Sequence, residues 1–341
     1  LCQRAGTELW VKHENHTPLG AFKVRGGIVY IDHLRRSEPG VRLVAGRAVR
    51  GLRVAGGRVV GVEAPGGAAL EDAELTVVAA GARSALGRWW EALGLPAVEE
   101  AVVQARHHYV SRWFEIPAGF DGDWKLLSIT PAPGVPWGGA IVAAEGGRWG
   151  MVLLVPRGEP VPRDDEALRR ACTRLVDRRM AEALAQARPL GPIVRHEHTD
   201  SRRAFFERLE GAWPEGMVVV GDAVCMLDPY FGLGMTACAR GVAALADHEW
   251  GAPGAAWAFQ RELGRIVDVP WRLVTADVPH EPAAVLQRRR LLHAAPQSPE
   301  LARLLLRRMH LVDPPEAIDG PEVRGLVDAA LTHQDPAPSP A

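Results

Sequence analysis

The sequence predicts an α/β chain in which a parallel sheet is interleaved with an antiparallel one, ahead of a helical C-terminal region. Three observations carry that expectation. The runs 75–80 (LTVVAA) and 217–221 (MVVVG) are short, uninterrupted and apolar and end in glycine-containing turns, the texture of parallel strands covered on both faces. Gly56-Gly57 and Gly146-Gly147 each separate two apolar-alternating runs. Both central positions of a tight turn need φ > 0, so each glycine pair predicts a hairpin. From about Ala255 to Leu331 the apolar spacing is helical, with breaks expected at Pro270, Pro279, Pro296 and Pro314-Pro315.

Taken in order, residues 7–12 read as a short strand and 13–20 as a polar loop. Val24, Ile28, Ile31 and Leu34 predict a helix from Phe22 to Arg36, which Gly26 and Gly27 each weaken by about 1 kcal/mol relative to alanine. From Ser37 the texture changes, and residues 41–63 alternate as strands do. The second glycine pair belongs to an antiparallel layer expected from about residue 100 to 156. Over 164–188, Leu168, Cys172, Leu175, Val176, Met180 and Leu184 predict one long helix. Near the end Leu301, Leu304, Leu305 and Met309 share a helix face while Arg303 and Arg307 lie off it. The predicted division is 1–36, 37–250, a helical region 251–331 and a disordered tail 332–341.

Composition narrows the function. The 341 residues are 47% hydrophobic and 24% charged, ordinary for one large or two medium globular domains. Forty Lys and Arg against 41 Asp and Glu leave a net charge of −1, so no global field favours nucleic acid or an anionic membrane as partner. No run approaches the roughly 18 apolar residues of a spanning helix, and no secretory pattern opens the chain, which places it in the cytoplasm. Leu1 in place of Met sets the expectation that the start of a longer protein is absent. Cys2, Cys172, Cys225 and Cys238 form no CxxC pair and are expected as reduced thiols.

The strongest constellation is Gly221-Asp222-Ala223, then Asp228-Pro229, then Gly232-Leu233-Gly234-Met235-Thr236, leading into a helical run. A buried strand delivers a carboxylate at its carboxyl end, a proline fixes the next loop, and two glycines let backbone approach a ligand before a helix N-terminus offers free N–H groups. The alternative is a glycine-rich connection with a capping Asp.

This order of residues resembles the second FAD-binding motif of the flavin-dependent aromatic hydroxylase and epoxidase family, the group similar to para-hydroxybenzoate hydroxylase. GDAVC, the Pro-aromatic pair, GMT, Asp268 to Trp271 and Asp313 to Pro315 are most similar to polyketide-tailoring epoxidase-like oxidoreductases, over about Glu38 to Leu331. The resemblance implies an incomplete FAD-binding Rossmann-like fold with an antiparallel substrate-binding sheet and a helical C-terminal region. It also implies that Asp222 bonds ribityl or ribose hydroxyls, that Pro229 sits beside the isoalloxazine, and that Gly232 to Thr236, including Gly234 and Met235, face its pyrimidine edge. A second element, LTVVAAGARSALGRW, resembles the family's strand-turn motif at Gly81, Arg83 and Ser84, with Ala79 and Ala80 where the family carries a carboxylate.

The family's opening strand–GxGxxG–helix unit, which holds the FAD pyrophosphate, does not precede Ser37. Gly232-x-Gly234-x-x-Ala237 has similar letters in the wrong context. Residues 6–36 instead resemble the PLP-attachment segment of threonine/serine dehydratases, where Lys23 would form the Schiff base, but the phosphate cradle that PLP needs does not follow. A truncated or fused reading frame with a junction near residue 37 is the expectation.

Weaker candidates complete the reading. His196 and His198 form an HxH without a third ligand, so no metal is expected, and the adjacent His107 and His108 point to opposite sides of a strand. Arg202-Arg203 is a solvated loop or a contact for a phosphate or carboxylate, and Arg288 to Arg290 is a wet helix face. Trp113, Trp124, Trp137 and Trp149 line an apolar cavity or pack a core. No triad is present, and no catalytic side chain is singled out. The expected activity is an FAD-dependent monooxygenase, hydroxylase or epoxidase, using NAD(P)H and dioxygen on a small apolar or aromatic substrate. The alternatives are a non-catalytic remnant and, third, a PLP-dependent dehydratase-like activity through Lys23.

Overall fold

The computed structural model describes residues 48–64, 72–120, 122, 124–132, 134–197, 199–276, 287 and 290–332. The elements expected before residue 37, Lys23, His198, Pro279, Arg288, Arg289 and the tail from residue 333 lie outside the described residues. The chain divides into two compact units, one made of the described residues up to Val103 and those from Ser201 onward, the other of Gln104–Asp200.

In chain order the first unit contains β1 (Gly51–Ala55), β2 (Arg58–Glu63), β3 (Thr76–Val78), α1 (Leu86–Ala92) and β4 (Glu100–Val103). The second contains β5 (His107–Glu115), β6 (Leu126–Ile129), β7 (Gly138–Ala144), β8 (Arg148–Pro156), α2 (Asp165–Cys172), α3 (Arg179–Gln186) and β9 (Arg188–His196). The first unit resumes with β10 (Ser201–Ala204), β11 (Met217–Val219), β12 (Cys225–Met226), α4 (Gly234–Asp247), α5 (Ala255–Ala276), α6 (Pro299–Met309) and α7 (Pro321–Thr332).

In the first unit β1 and β2 form the expected hairpin, with Gly56 and Gly57 at φ 59° and 77°. β3 and β11 pair in parallel, Thr76 to Met217 through Val78 to Val219, and β11 is wholly buried, which explains its unbroken apolar run. The edge of β11 is closed by a side chain: Gln260 of α5 accepts the Val219 N–H at 3.2 Å and donates to the Val219 carbonyl at 3.1 Å. Trp90, Phe206 and Trp213 pack with ring centroids 5.4–5.5 Å apart, and both indole N–H groups reach backbone carbonyls, of Pro96 and Met217. A second, antiparallel sheet runs in the order β12-β10-β4.

Two expectations for this unit are corrected. Pro270 does not break its helix, because α5 continues to Ala276 and buries Phe259, Leu263, Val267, Trp271 and Val274 along one face. Arg202-Arg203 is neither a solvated loop nor a free anion contact. Both lie on β10, where Arg202 pairs with Glu100 at 3.1 Å and Arg203 is buried against Glu207 and Asp268. In the C-terminal part Ser298 caps α6 by accepting the Leu301 N–H, and Leu301 is buried against α7 while Met309, expected on the same face, is exposed. Arg290 pairs with Asp328.

The second unit is a five-stranded antiparallel sheet in the order β6-β7-β8-β5-β9. Gly146 and Gly147 turn β7 into β8 at φ 74° and 66°. The layer extends past residue 156, because β9 adds a further edge strand. The single helix expected over 164–188 is two helices. The Thr173 hydroxyl bonds back to the Arg170 carbonyl, and Asp177 accepts the N–H and guanidinium of Arg179, which stops one helix and starts another. Leu168, Cys172, Leu175, Met180 and Leu184 remain buried, but Val176 in the break is 58% exposed. Trp149 and Trp137 are core residues. Trp124 stacks on Trp149 at 5.4 Å and, with Phe120, also walls a cavity of about 240 Å³ beside Ala183. The Trp113 ring lies beside Gly150. His107 and His108 bond the carbonyls of Pro136 and Glu197 respectively. Among the described residues no helix is long and apolar enough to cross a membrane, and no three His, Cys, Asp or Glu side chains cluster as a metal requires.

Gly216 holds φ 74°, and a Cβ there would run into the Val59 carbonyl oxygen. Gly147 has a similar φ with open space around it. Thermal unfolding should therefore show Gly216→Ala costing about 3 kcal/mol or more and Gly147→Ala only about 1 kcal/mol.

Candidate functional site

Parallel strands deliver their carboxyl ends to the same edge of a sheet, and in open α/β sheets ligands bind there. β3 and β11 do this here, and the Val220 N–H to Val78 carbonyl bond, 3.0 Å, carries the pairing to the end of the ladder. Gly81 (φ 80°) and Gly221 (φ 68°) then turn the two chains away, a conformation that disfavours any side chain. After Gly81 the Ser84 N–H bonds the Gly81 carbonyl, and the Ser84 hydroxyl accepts the Leu86 N–H that opens α1. Arg83 and Asp222 are exposed, while Gly81, Ala82 and Gly221 are half-buried. Two segments far apart in sequence thus place Gly81, Arg83, Gly221 and Asp222 at one end of one sheet.

The next segment returns across β10 as β12 and ends at Asp228, which is buried. The Asp228 N–H donates to the Ser201 hydroxyl at 2.9 Å, and its carboxylate accepts the Tyr230 N–H at 3.0 Å. That bond caps the single turn Pro229–Phe231, in which Pro229 and Tyr230 face outward. Gly232, at φ 65°, reverses the chain, and buried Leu233 anchors it before Gly234 opens α4. Asp228 therefore serves the turn internally, whereas Asp222 stays at the surface.

The N-terminus of α4 is bare. Leu233 provides no side-chain cap, the first helical bond is Ala237 N–H to the Leu233 carbonyl, and Met235 is 54% exposed. The amides of Gly234, Met235 and Thr236 point out of the helix with the positive end of its dipole behind them. A Cβ at Gly81, Gly232 or Gly234 would meet nothing within 4 Å. The residues present fit an FAD-like group: Asp222 can accept hydrogen bonds from a polyol, the α4 amides can meet an electron-rich ring edge, and the glycines leave room for backbone approach.

The thiols differ in their surroundings. Burial pushes the Cys225 thiol up to about 12, and likewise that of Cys172 in the second unit. Cys238, on α4, is half-buried, with its Sγ 4.0 Å from Asp222 Oδ1. Ser201, the structural use of Asp228 and the Gln260 clamp were missed in the sequence. Asp228 and Gln260 show only as polar residues beside apolar ones and Ser201 sits in a polar stretch, so none of them names its partner.

The fold is that of FAD-dependent monooxygenases and halogenases. No protein-family model matches the chain. Protein Rv3254 of Mycobacterium tuberculosis is 33% identical over 165 residues, which cover 48% of this chain and 34% of that protein. The chain thus spans about a third of the length of the curated relative it matches. The flavin-dependent brominase Bmp2 is similar in structure with a TM-score of 0.58 and 16% identity, over 89% of this chain and 74% of that one. PqsL, a probable FAD-dependent monooxygenase from Pseudomonas aeruginosa, is similar with a TM-score of 0.54 and 18% identity, over 73% of this chain and 68% of that one.

Ser201→Ala leaves the buried Asp228 N–H without its acceptor, and thermal unfolding should show a loss of about 1–3 kcal/mol. At pH 8 the Cys172 and Cys225 thiols lie far below their shifted values near 12 and stay protonated as well as shielded. In a Cys2→Ser background, peptide mass spectrometry after brief alkylation of the native protein should find Cys238 modified well ahead of both.

Proposed function

We propose that the chain binds FAD at the carboxyl end of the β3–β11 pair and acts as an FAD-dependent monooxygenase, a hydroxylase or epoxidase, on a small apolar or aromatic substrate, with NAD(P)H as reductant. One observation carries this reading: exposed Asp222 lies 4.0 Å from Cys238 of α4, the helix whose N-terminus is uncapped and whose first residue, Gly234, leaves open space. The likeness in fold to flavin-dependent enzymes supports it.

When bound, the flavin would supply the redox and oxygen-transfer chemistry. The chain's own share is binding and orientation. The Asp222 carboxylate accepts hydrogen bonds from ribityl or ribose hydroxyls, and charge on that acceptor makes each bond roughly twice as strong as a neutral one. The exposed Pro229 ring offers a rigid apolar surface beside the isoalloxazine. The N–H groups of Gly234, Met235 and Thr236 would hold the pyrimidine edge, where they would favour negative charge on the ring system. Arg83 adds a cation at the same end of the sheet for an anionic part of the ligand. None of these steps needs a side-chain nucleophile, in keeping with a sequence that contains no triad.

FAD titration of the purified chain, followed by flavin fluorescence and by flavin absorbance co-eluting on gel filtration, tests this reading. The wild-type chain should retain flavin, and Asp222→Ala should weaken binding by about tenfold or more, the worth of a charged hydrogen bond. FAD-dependent oxidation of NADH or NADPH should accompany binding. A folded but colourless protein that binds no added FAD would overturn the assignment and favour a non-catalytic remnant.

A further inference from the structure

We propose that Arg203 is a positioning residue for the candidate cofactor turn: through β10 it makes the backbone at 224–231 depend on an ion-pair cluster under helix α5. Its consequence for FAD affinity rests on the function proposed above; its consequence for the turn itself does not.

β10 is the strand across which the turn is laid. The Ala204 N–H donates to the Val224 carbonyl at 2.9 Å, Arg203 stands opposite Cys225 and Arg202 opposite Met226, and the Ser201 hydroxyl accepts the Asp228 N–H at 2.9 Å. Both parts of the site, the Gly221–Ala223 turn and the Asp228–Phe231 turn, are therefore stitched to the ends of this one four-residue strand. Ser201 and Arg203 are two residues apart and share a face of β10, so the side chain that holds Asp228 and the guanidinium project to the same side.

Arg203 is only 4% exposed and fastens that face to α5. It donates to Asp268 at 2.8 Å, to Glu207 at 2.7 Å and to the Gly264 carbonyl at 3.1 Å. Gly264 is bare because the Glu207 side chain lies against it, with Glu207 carbons 2.8–2.9 Å from where a Cβ would stand. Asp268 in turn holds Arg272 at 3.0 Å, which faces Glu316 at 3.6 Å.

This cluster is a poor source of plain stability. Arg203 Nε and Glu207 Oε2 are both buried with no hydrogen-bond partner among the described residues, and a buried ion pair with unsatisfied atoms is often no better than apolar packing of the same volume. What it supplies is register. Three acceptors, Asp268 on Nη1 and Glu207 with the Gly264 carbonyl on Nη2, define one position for the guanidinium, and hence for the middle of β10, which a nonpolar contact would leave free to slide.

Hydrogen exchange read by mass spectrometry on the ligand-free chain, together with FAD titration, tests the proposal in wild type, Arg203→Met, Arg203→Lys and a control, Leu52→Ala, which opens a cavity in the same core. Arg203→Met should speed exchange over 224–231 by about tenfold or more relative to Leu52→Ala at matched global stability, as expected when a buried pair loses one member. Arg203→Lys, a single point donor, should fall between the two. FAD affinity should drop in the same order. Equal acceleration of 224–231 in Leu52→Ala and Arg203→Met would overturn the proposal, since Arg203 would then act only through overall stability. If Arg203→Met does not fold, Asp268→Asn should give the same local effect in smaller measure, and its absence would count equally against it. A wild-type chain that binds no FAD would sink the proposed function, while the exchange result would still decide the role of Arg203.

Discussion

The site depends on the burial of three residues, Met217, Val218 and Val219. β11 is held in parallel by β3 along one edge and by the Gln260 amide along the other. An amide side chain places an N–H donor and a carbonyl acceptor at much the spacing of a peptide group, so it can close a strand edge as a backbone would. Without it the Val219 N–H and carbonyl would be buried unpaired, at about 1–3 kcal/mol for each group. The same bonds fix where the chain leaves the sheet, and so where Gly221 and Asp222 stand.

From that point, similar residues take opposite roles according to what surrounds them. Asp222 and Asp228 lie on successive turns of one segment, yet Asp228 is buried with its carboxylate on the Tyr230 amide while Asp222 is exposed. Arg83 and Arg203 differ in the same way, the first at the surface beyond β3 and the second locked under α5. A surface carboxylate costs little to keep ionised and remains able to accept a ligand's hydroxyls. A buried one is retained only where its hydrogen bonds are met, and is committed to holding backbone.

Much of this was legible because short-range chemistry decides it. Unbroken apolar runs gave the parallel pair, glycine pairs gave both hairpins, and the Gly221–Thr236 letters gave the turn-and-helix sequence of the site. The failures share a cause in tertiary packing. Pro270 removes one helical hydrogen bond, at about 3 kcal/mol in an exposed helix, but Phe259, Leu263, Val267, Trp271 and Val274 bury a continuous face, and each large apolar side chain buried is worth about 1.5–3 kcal/mol. The break at 173–178 keeps Leu175 in the core but turns Val176 out to solvent, so the helical period is interrupted where the helix is. Arg203 looked like a wet residue because a sequence pattern cannot display a carboxylate contributed from Asp268.

The glycines separate what the chain needs for itself from what it leaves open. Gly241, on α4, is explained internally, since a Cβ there would come within 2.9 Å of Leu263 Cδ1 and force α4 off α5. Gly81, Gly221 and Gly232 are explained by positive φ. Gly234 has neither reason: its position is helical, and a Cβ would enter open space. Alanine would favour the helix there, by up to about 1 kcal/mol at an interior position, so folding alone gives no cause to omit the methyl group. Gly87 in α1 and Gly325 in α7 are helical with equally open surroundings, so the feature alone marks no ligand; what Gly234 adds is its place at the first turn of α4, where the absent methyl group leaves the amides open to close approach. The reading proposed for this end of the sheet therefore rests on a conjunction, the open first turn of α4 and the exposed Asp222 carboxylate 4.0 Å from Cys238 on the same helix, and on no single glycine.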